Sequence, residues 1–144
     1  MDYKGAIKTF DIKNIKFGYR RSSLSKYIIL SALLRLKKGS KKESGDKIRE
    51  YLRCRMLTHD LSMPSAGCVF RNPPGHSAGK LIDLCGLKGK RLKDAAVSLK
   101  HANFILNLGH ASSADVMRLM AFIKKKVDNR FRIKLVPEIR IWQG

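Results

Sequence analysis

Between Pro64 and Gly75 the chain reads Pro-Ser-Ala-Gly-Cys-Val-Phe-Arg-Asn-Pro-Pro-Gly, and no regular element accommodates all of it. Proline has a fixed φ and no amide donor, and glycine favours turns, so a helix and a central strand are both excluded. What remains is a loop of prescribed shape, the kind of segment that carries functional groups on a rigid scaffold. Cys68 sits at its bend, after Gly67 and before Asn72. A thiol so placed has the form of a proton donor or nucleophile beside a polar anchor.

The 144 residues suffice for about one domain, and a 44% hydrophobic content suffices for a core. No run of eighteen apolar residues occurs, so a membrane span is not expected. Met1-Asp2-Tyr3-Lys4 does not lead into an apolar targeting segment, so the cytoplasm is the expected location. Cys54, Cys68 and Cys85 are widely spaced with no Cys-x-x-Cys pair. That pattern supports neither a disulfide framework nor a zinc ribbon. Cys54 and Cys85 fall in apolar helical patterns and read as small core residues. The formal charge of +20 invites a nucleic-acid partner. Against that partner, the lysines are spread along the whole chain, and no RNA-binding signature or helix-turn-helix is evident.

Alternation over residues 6–10 predicts a short strand, and Asp11 a capped turn through Lys16. Residues 17–23 read as a loop with a hinge at Gly18. The Ile- and Leu-rich run from Tyr27 to Leu36 predicts a buried strand, and Lys41-Lys42-Glu43-Ser44-Gly45 a linker. Ile48, Leu52 and Met56 recur every four residues and predict a helix from Asp46 to Thr58. A short helix around Leu81–Cys85 is stopped by Gly86 and Gly89. Asn103–Leu108 reads as a strand. Ser113 is the expected cap of a helix with Val116, Leu119, Met120, Ile123 and Val127 inward and Lys124-Lys125-Lys126 in its last turn. Ile133–Trp142 alternates around Pro137 and predicts an edge strand.

Several phrases occur in a fixed order: Phe17-Gly18-Tyr19-Arg20-x-Ser22, the Pro64–Gly75 loop, Ala78-Gly79-Lys80-Leu81-Ile82, Gly86-Leu87-Lys88-Gly89, Val97-Ser98-x-Lys100-His101-Ala102-Asn103-Phe104-Ile105, and Pro137-Glu138-Ile139-Arg140. Together they resemble the C-terminal half of the UDP-N-acetylenolpyruvoylglucosamine reductases, flavoenzymes of peptidoglycan synthesis. The resemblance runs from about residue 5 to residue 142. It implies an α+β chain: residues 1–39 as the end of a FAD-binding domain, 40–45 as a linker, and 46–144 as an α/β substrate-binding domain. It implies that the chain is the C-terminal part of something larger, with FAD and NADPH bound mostly by an N-terminal half. The implied partners are the UDP-sugar substrate and a separately encoded FAD-binding half.

The resemblance also assigns roles. Cys68 matches the proton-donor position, where serine is common and cysteine a variant; a thiol, with its usual pKa of about 8.5, is a better acid than a hydroxyl. Glu138 matches a catalytic glutamate that stabilises or protonates the developing acid. Asn72 matches a substrate-binding carboxamide and Tyr19 a tyrosine that closes over the substrate's diphosphate. Arg71 and Lys80 are the expected phosphate neighbours. His101 and Asn103 read as structural, hydrogen-bonding a loop. The chain departs from the family pattern at Lys93-Asp94, where glycines are common, and at His59-Asp60. Two other readings stand beside this one: a non-catalytic remnant that binds a UDP-sugar, and a basic nucleic-acid-binding protein.

Overall fold

The computed structural model describes residues 1–61 and 63–142, and the chain divides into two compact units, Met1–Ser40 and Lys41–Gly144. The first unit is built mostly from local hydrogen bonds, with one long-range pair between Met1 and Ile28. A two-stranded hairpin, β1 (Phe17–Gly18) and β2 (Arg21–Ser22), turns at Tyr19-Arg20, with Arg20 at φ 57°. Asp11 accepts from the amide of Lys13 and caps a single turn, Ile12–Asn14. The Met1 ammonium and carbonyl exchange hydrogen bonds with Ile28, both 2.8 Å long. No residue of this unit is buried. Residues 6–10 are not a strand, and Tyr27–Leu36 is not a buried one; Leu33, Leu34 and Leu36 lie open to solvent. An apolar run becomes a buried strand only where neighbours take its amides and a second layer covers its face. These forty residues supply neither.

In the second unit the expected linker is the start of a helix. α1 runs from Lys41 to Thr58, with Glu43 in its first turn, where a carboxylate complements the helix dipole. Ile48, Leu52 and Met56 share one face as their spacing requires, yet no residue of α1 is buried. Cys54 is therefore exposed and not a core residue. Periodicity marks the face a core would use; it does not create the layer that covers it. Among the described residues, no helix is long and apolar enough to cross a membrane.

The core lies under a four-stranded antiparallel sheet. Its strands are β3 (Ser65–Cys68), β4 (Arg91–Leu92), β5 (Ala95–Val97) and β6 (Phe104–Asn107), in the order β3-β6-β5-β4. The prescribed loop thus opens as an edge strand. Gly67, at φ 78°, provides the bulge where the β3–β6 register shifts. α2 (Ala78–Leu84) ends at Gly86, whose φ of 67° suits glycine best. The β4–β5 hairpin turns at Lys93-Asp94, where Asp94 accepts from the His110 amide at 3.0 Å and pairs with Arg91. The His110 bond first, and then Arg91, hold the Asp94 carboxyl below its usual range.

α3 (Ser113–Phe131) begins one residue earlier than expected. Ser112 is the cap, reciprocated by Asp115 in a capping box. Leu119, Met120, Ile123 and Val127 are buried against Val69, Phe70, Ile82 and Leu135. Lys124–Lys126 do not lie in its last turn, because the helix runs on to Phe131 and Arg130 occupies that turn. After α3 there is no strand through Ile133–Trp142: Pro137 makes one isolated bridge to Phe70. A proline has no amide hydrogen with which to extend the ladder.

Candidate functional site

Val69-Phe70-Arg71 is laced on both sides. On one side the Val69 amide donates to the Asn103 carbonyl at 2.8 Å. The Asn103 side chain completes the clamp: Oδ1 accepts from the Phe70 amide at 3.0 Å and Nδ2 donates to the Phe70 carbonyl at 2.8 Å. A carboxamide carries one acceptor and one donor group, so it copies the hydrogen bonds of a strand neighbour. On the other side the Arg71 amide donates to the Val136 carbonyl at 2.9 Å, and the Glu138 amide to the Val69 carbonyl at 2.8 Å.

This middle rail holds two of the expected residues by their backbones. Cys68 closes β3 opposite Phe104, immediately before Val69, and Glu138 is bonded to Val69 from the other flank. Both residues are half-buried, between the wholly buried Val69 and Phe70 and the solvent. All three cysteines are thiols, and Cys85 is half-buried against the core. Asn72 shapes the next stretch: its Oδ1 accepts from the Ala78 amide at 2.9 Å, closing the loop onto the start of α2. Arg71 and Lys80 are exposed, the latter in the first turn of α2. Tyr19 belongs to the other unit, where it is exposed at the hairpin turn with the Arg20 guanidinium 5.9 Å from its ring centre.

A second group supports the clamp. The Ser98 hydroxyl accepts the amides of Lys100 at 3.1 Å and His101 at 3.2 Å, and donates to Asp60 at 3.4 Å. His101 Nδ1 accepts the Asn103 amide at 3.2 Å, so the neutral ring carries its hydrogen on Nε2. His101, His59 and Phe104 pack with ring centres 4.7–5.3 Å apart. Gly79 lets α2 approach: a Cβ there would lie 3.4 Å from His101 Cε1. His101 and Asn103 are thus the loop-holding pair that their phrase suggested. The particular signal for Asn103 was a carboxamide directly before the apolar run Phe104-Ile105-Leu106.

Burial, and next the neighbouring His59, push the His101 imidazole below its ordinary 6.5. The unfolded chain then binds the proton more readily than the fold. Stability from this group is complete above about pH 6.5 and is lost as pH falls through the lowered folded value. Urea midpoints should therefore fall between pH 7.5 and pH 5, and fall less in His101→Gln. Equal slopes in the two proteins would remove His101 as the cause.

The comparisons with known proteins agree with this geometry. Residues 59–142 match the family model described as UDP-N-acetylenolpyruvoylglucosamine reductase, C-terminal domain. The chain is 45% identical to the UDP-N-acetylenolpyruvoylglucosamine reductase of Chlamydia abortus over 96% of its own length and 46% of that protein's. It is 42% identical to the enzyme of that name from Thiobacillus denitrificans, over 86% of this chain and 39% of the other. The crystal structure of UDP-N-acetylenolpyruvylglucosamine reductase (MurB) from Thermus caldophilus matches with a TM-score of 0.79 at 38% identity, covering 98% of this chain and 50% of that one. The chain spans half or less of the length of these relatives. With its mixed helix and sheet architecture and a matched segment that contains Cys68, Asn103 and Glu138, the chain belongs to the family of UDP-N-acetylenolpyruvoylglucosamine reductase C-terminal domains.

Proposed function

We propose that this chain is the substrate-binding part of a reductase that converts UDP-N-acetylenolpyruvoylglucosamine to UDP-N-acetylmuramate with NADPH and FAD, in the cytoplasm, for peptidoglycan synthesis. Residues 1–39 would be the end of the FAD-binding part and 46–144 the substrate domain. The observation that carries the reading is the backbone bond from Glu138 to Val69, which sets the carboxyl-bearing residue beside the one that follows Cys68.

A flavin ring needs a walled, largely dry cradle. Met1–Ser40 has no buried residue, so that unit alone does not fit a flavin, and the cofactor would be held by the half of the relatives that this chain does not span. Hydride supply belongs to that half. The chemistry assigned to this chain is the proton. Once hydride has added to one carbon of the enolpyruvyl double bond, the other carbon carries negative charge next to a carboxylate. Cys68 Sγ donates its proton there, forming the C–H bond and leaving a thiolate that water reprotonates. As a carboxylic acid, Glu138 would donate a hydrogen bond to the oxygen on which the charge develops. Arg71 and Lys80 would meet the diphosphate, and Asn72, bonded to the Ala78 amide, would meet the sugar.

The test is reconstitution. This chain is mixed with the flavin-binding half of a relative, FAD, NADPH and the UDP-sugar. NADPH oxidation that needs both the UDP-sugar and this chain is the expected result. A folded chain that binds the UDP-sugar but never supports turnover would establish the non-catalytic remnant instead.

A further inference from the structure

Phe122, Lys125, Lys126, Asn129 and Arg130 recur at i, i+3, i+4, i+7 and i+8 and form one outward stripe of α3, beside its buried face. Two adjoining hollows, of about 250 and 320 Å³, are lined by this stripe, share Lys126 and Asn129, and reach Cys85. The Lys90 and Lys126 ammonium groups stand 5.2 and 5.5 Å from the centre of the Phe122 ring. Asp83 pairs with Lys88, Asp94 with Arg91 and Asp115 with Arg118, and Asp128, the one acidic residue between Phe122 and Arg130, is not one of the i, i+3, i+4, i+7, i+8 positions of the stripe. Among the described residues, none of Lys90, Lys125, Lys126 or Arg130 has a carboxylate partner. Residues 113–134 carry seven cations against two carboxylates.

We propose that this cleft binds the phosphate backbone of single-stranded nucleic acid. The lysines of the chain are many, but here they converge. Two ammonium groups crowd one ring with no opposing carboxylate, an arrangement whose self-repulsion a polyanion relieves. The stripe from Phe122 to Arg130 is about 12 Å long at 1.5 Å per residue, longer than one diphosphate needs and enough for consecutive phosphates. Phe122 gathers the two ammonium groups that would meet the phosphates, and Asn129 adds an amide for a base edge. Cations, an aromatic ring and an amide along a groove are the groups that hold single strands with little sequence preference. The inference is independent of the UDP-sugar reading, because none of these residues is assigned to that site.

The test is fluorescence anisotropy with a labelled single-stranded oligonucleotide of about twelve nucleotides, at several salt concentrations. Lys125→Glu/Lys126→Glu/Arg130→Glu should weaken binding by about tenfold or more and reduce the slope of log K against log salt by about 2, close to 0.7 per lost contact. Lys42→Glu/Lys47→Glu/Arg53→Glu on α1 makes the same change of charge at exposed positions and should leave affinity within about threefold. Equal losses in the two triple variants would overturn the proposal, because binding would then follow total charge. Displacement of the oligonucleotide by UDP-N-acetylglucosamine would overturn it too, by placing the strand in the sugar site. Lys125→Gln/Lys126→Gln, which removes charge without adding repulsion, keeps the test open if the glutamate variant fails to fold; unchanged affinity in that folded variant would equally refute it.

Discussion

Asn103→Ala should destabilise the Lys41–Gly144 unit by about 2–5 kcal/mol. The side chain is 3% exposed and supplies both hydrogen bonds of the buried Phe70 backbone. Alanine removes both partners at once. Each buried polar group left unsatisfied costs about 1–3 kcal/mol, and the truncated side chain leaves a small void as well. Total stabilities of single domains are about 5–15 kcal/mol, so such a loss removes a large part of the margin. Asn103→Asp is the sharper variant. It keeps an acceptor for the Phe70 amide but turns a second oxygen toward the Phe70 carbonyl, where Nδ2 now donates at 2.8 Å. It should therefore be no better than alanine, although aspartate nearly matches asparagine in size. Urea unfolding followed by circular dichroism measures both. A loss below about 1 kcal/mol in the alanine variant would mean that other groups or water satisfy Phe70, and the clamp would not be what holds the rail.

The parts of this fold legible in the sequence are those whose pattern and cover coincide. α2, β6 and α3 have apolar residues at the spacing of the element and a layer to bury them, and Gly86 punctuates the end of α2, while the cap of α3 is Ser112, one residue before the expected Ser113. Tyr27–Leu36 and the Ile48–Leu52–Met56 face of α1 have the pattern without the cover, so they read as core and are exposed. The β4–β5 hairpin failed in the opposite way. Ala95 and Ala96 are buried yet too small to announce a strand, and Lys93 takes the left-handed turn position, φ 51°, that asparagine or glycine would have signalled. Ile133–Trp142 alternates as a strand should, but pairing needs amides on a continuous ladder and Pro137 interrupts it.

The candidate site was legible in a different way. No periodicity points to Cys68 or Glu138, which lie seventy positions apart; only the resemblance joined them. In the structure both residues flank one backbone rail, bonded to Asn103 on one side and to Glu138 on the other. Asn103 holds both Val69, which bonds Glu138, and Phe70, which follows it. The same rail makes the consequence of changing Cys68 separable from a loss of folding, because Cys68 is half-buried and Phe70 keeps its clamp whatever side chain stands two residues earlier.

Cys68→Ala, in the reconstituted reductase, should lower reduction of the enolpyruvyl group by about 10²–10⁴-fold, the usual worth of a positioned general acid. NADPH consumption by the flavin-binding half without UDP-sugar should be unchanged, because that half-reaction involves no carbon acid. Cys68→Ser should retain substantial activity: a hydroxyl is the weaker acid, but it places a transferable proton at nearly the same point. The three outcomes discriminate. Loss confined to sugar reduction, with rescue by serine, is the signature of a proton donor. Equal loss in both half-reactions would mean that the substitution disturbs assembly and not proton transfer. A serine variant as inactive as alanine would mean that the sulfur acts as something other than an acid. Solvent deuterium incorporation gives the independent check. If Cys68 delivers the proton from one face, product formed in deuterium oxide carries its new label with a single configuration at the protonated carbon; a mixture of configurations in the wild type would show that water reaches the carbanion from both sides and that the thiol is not the donor.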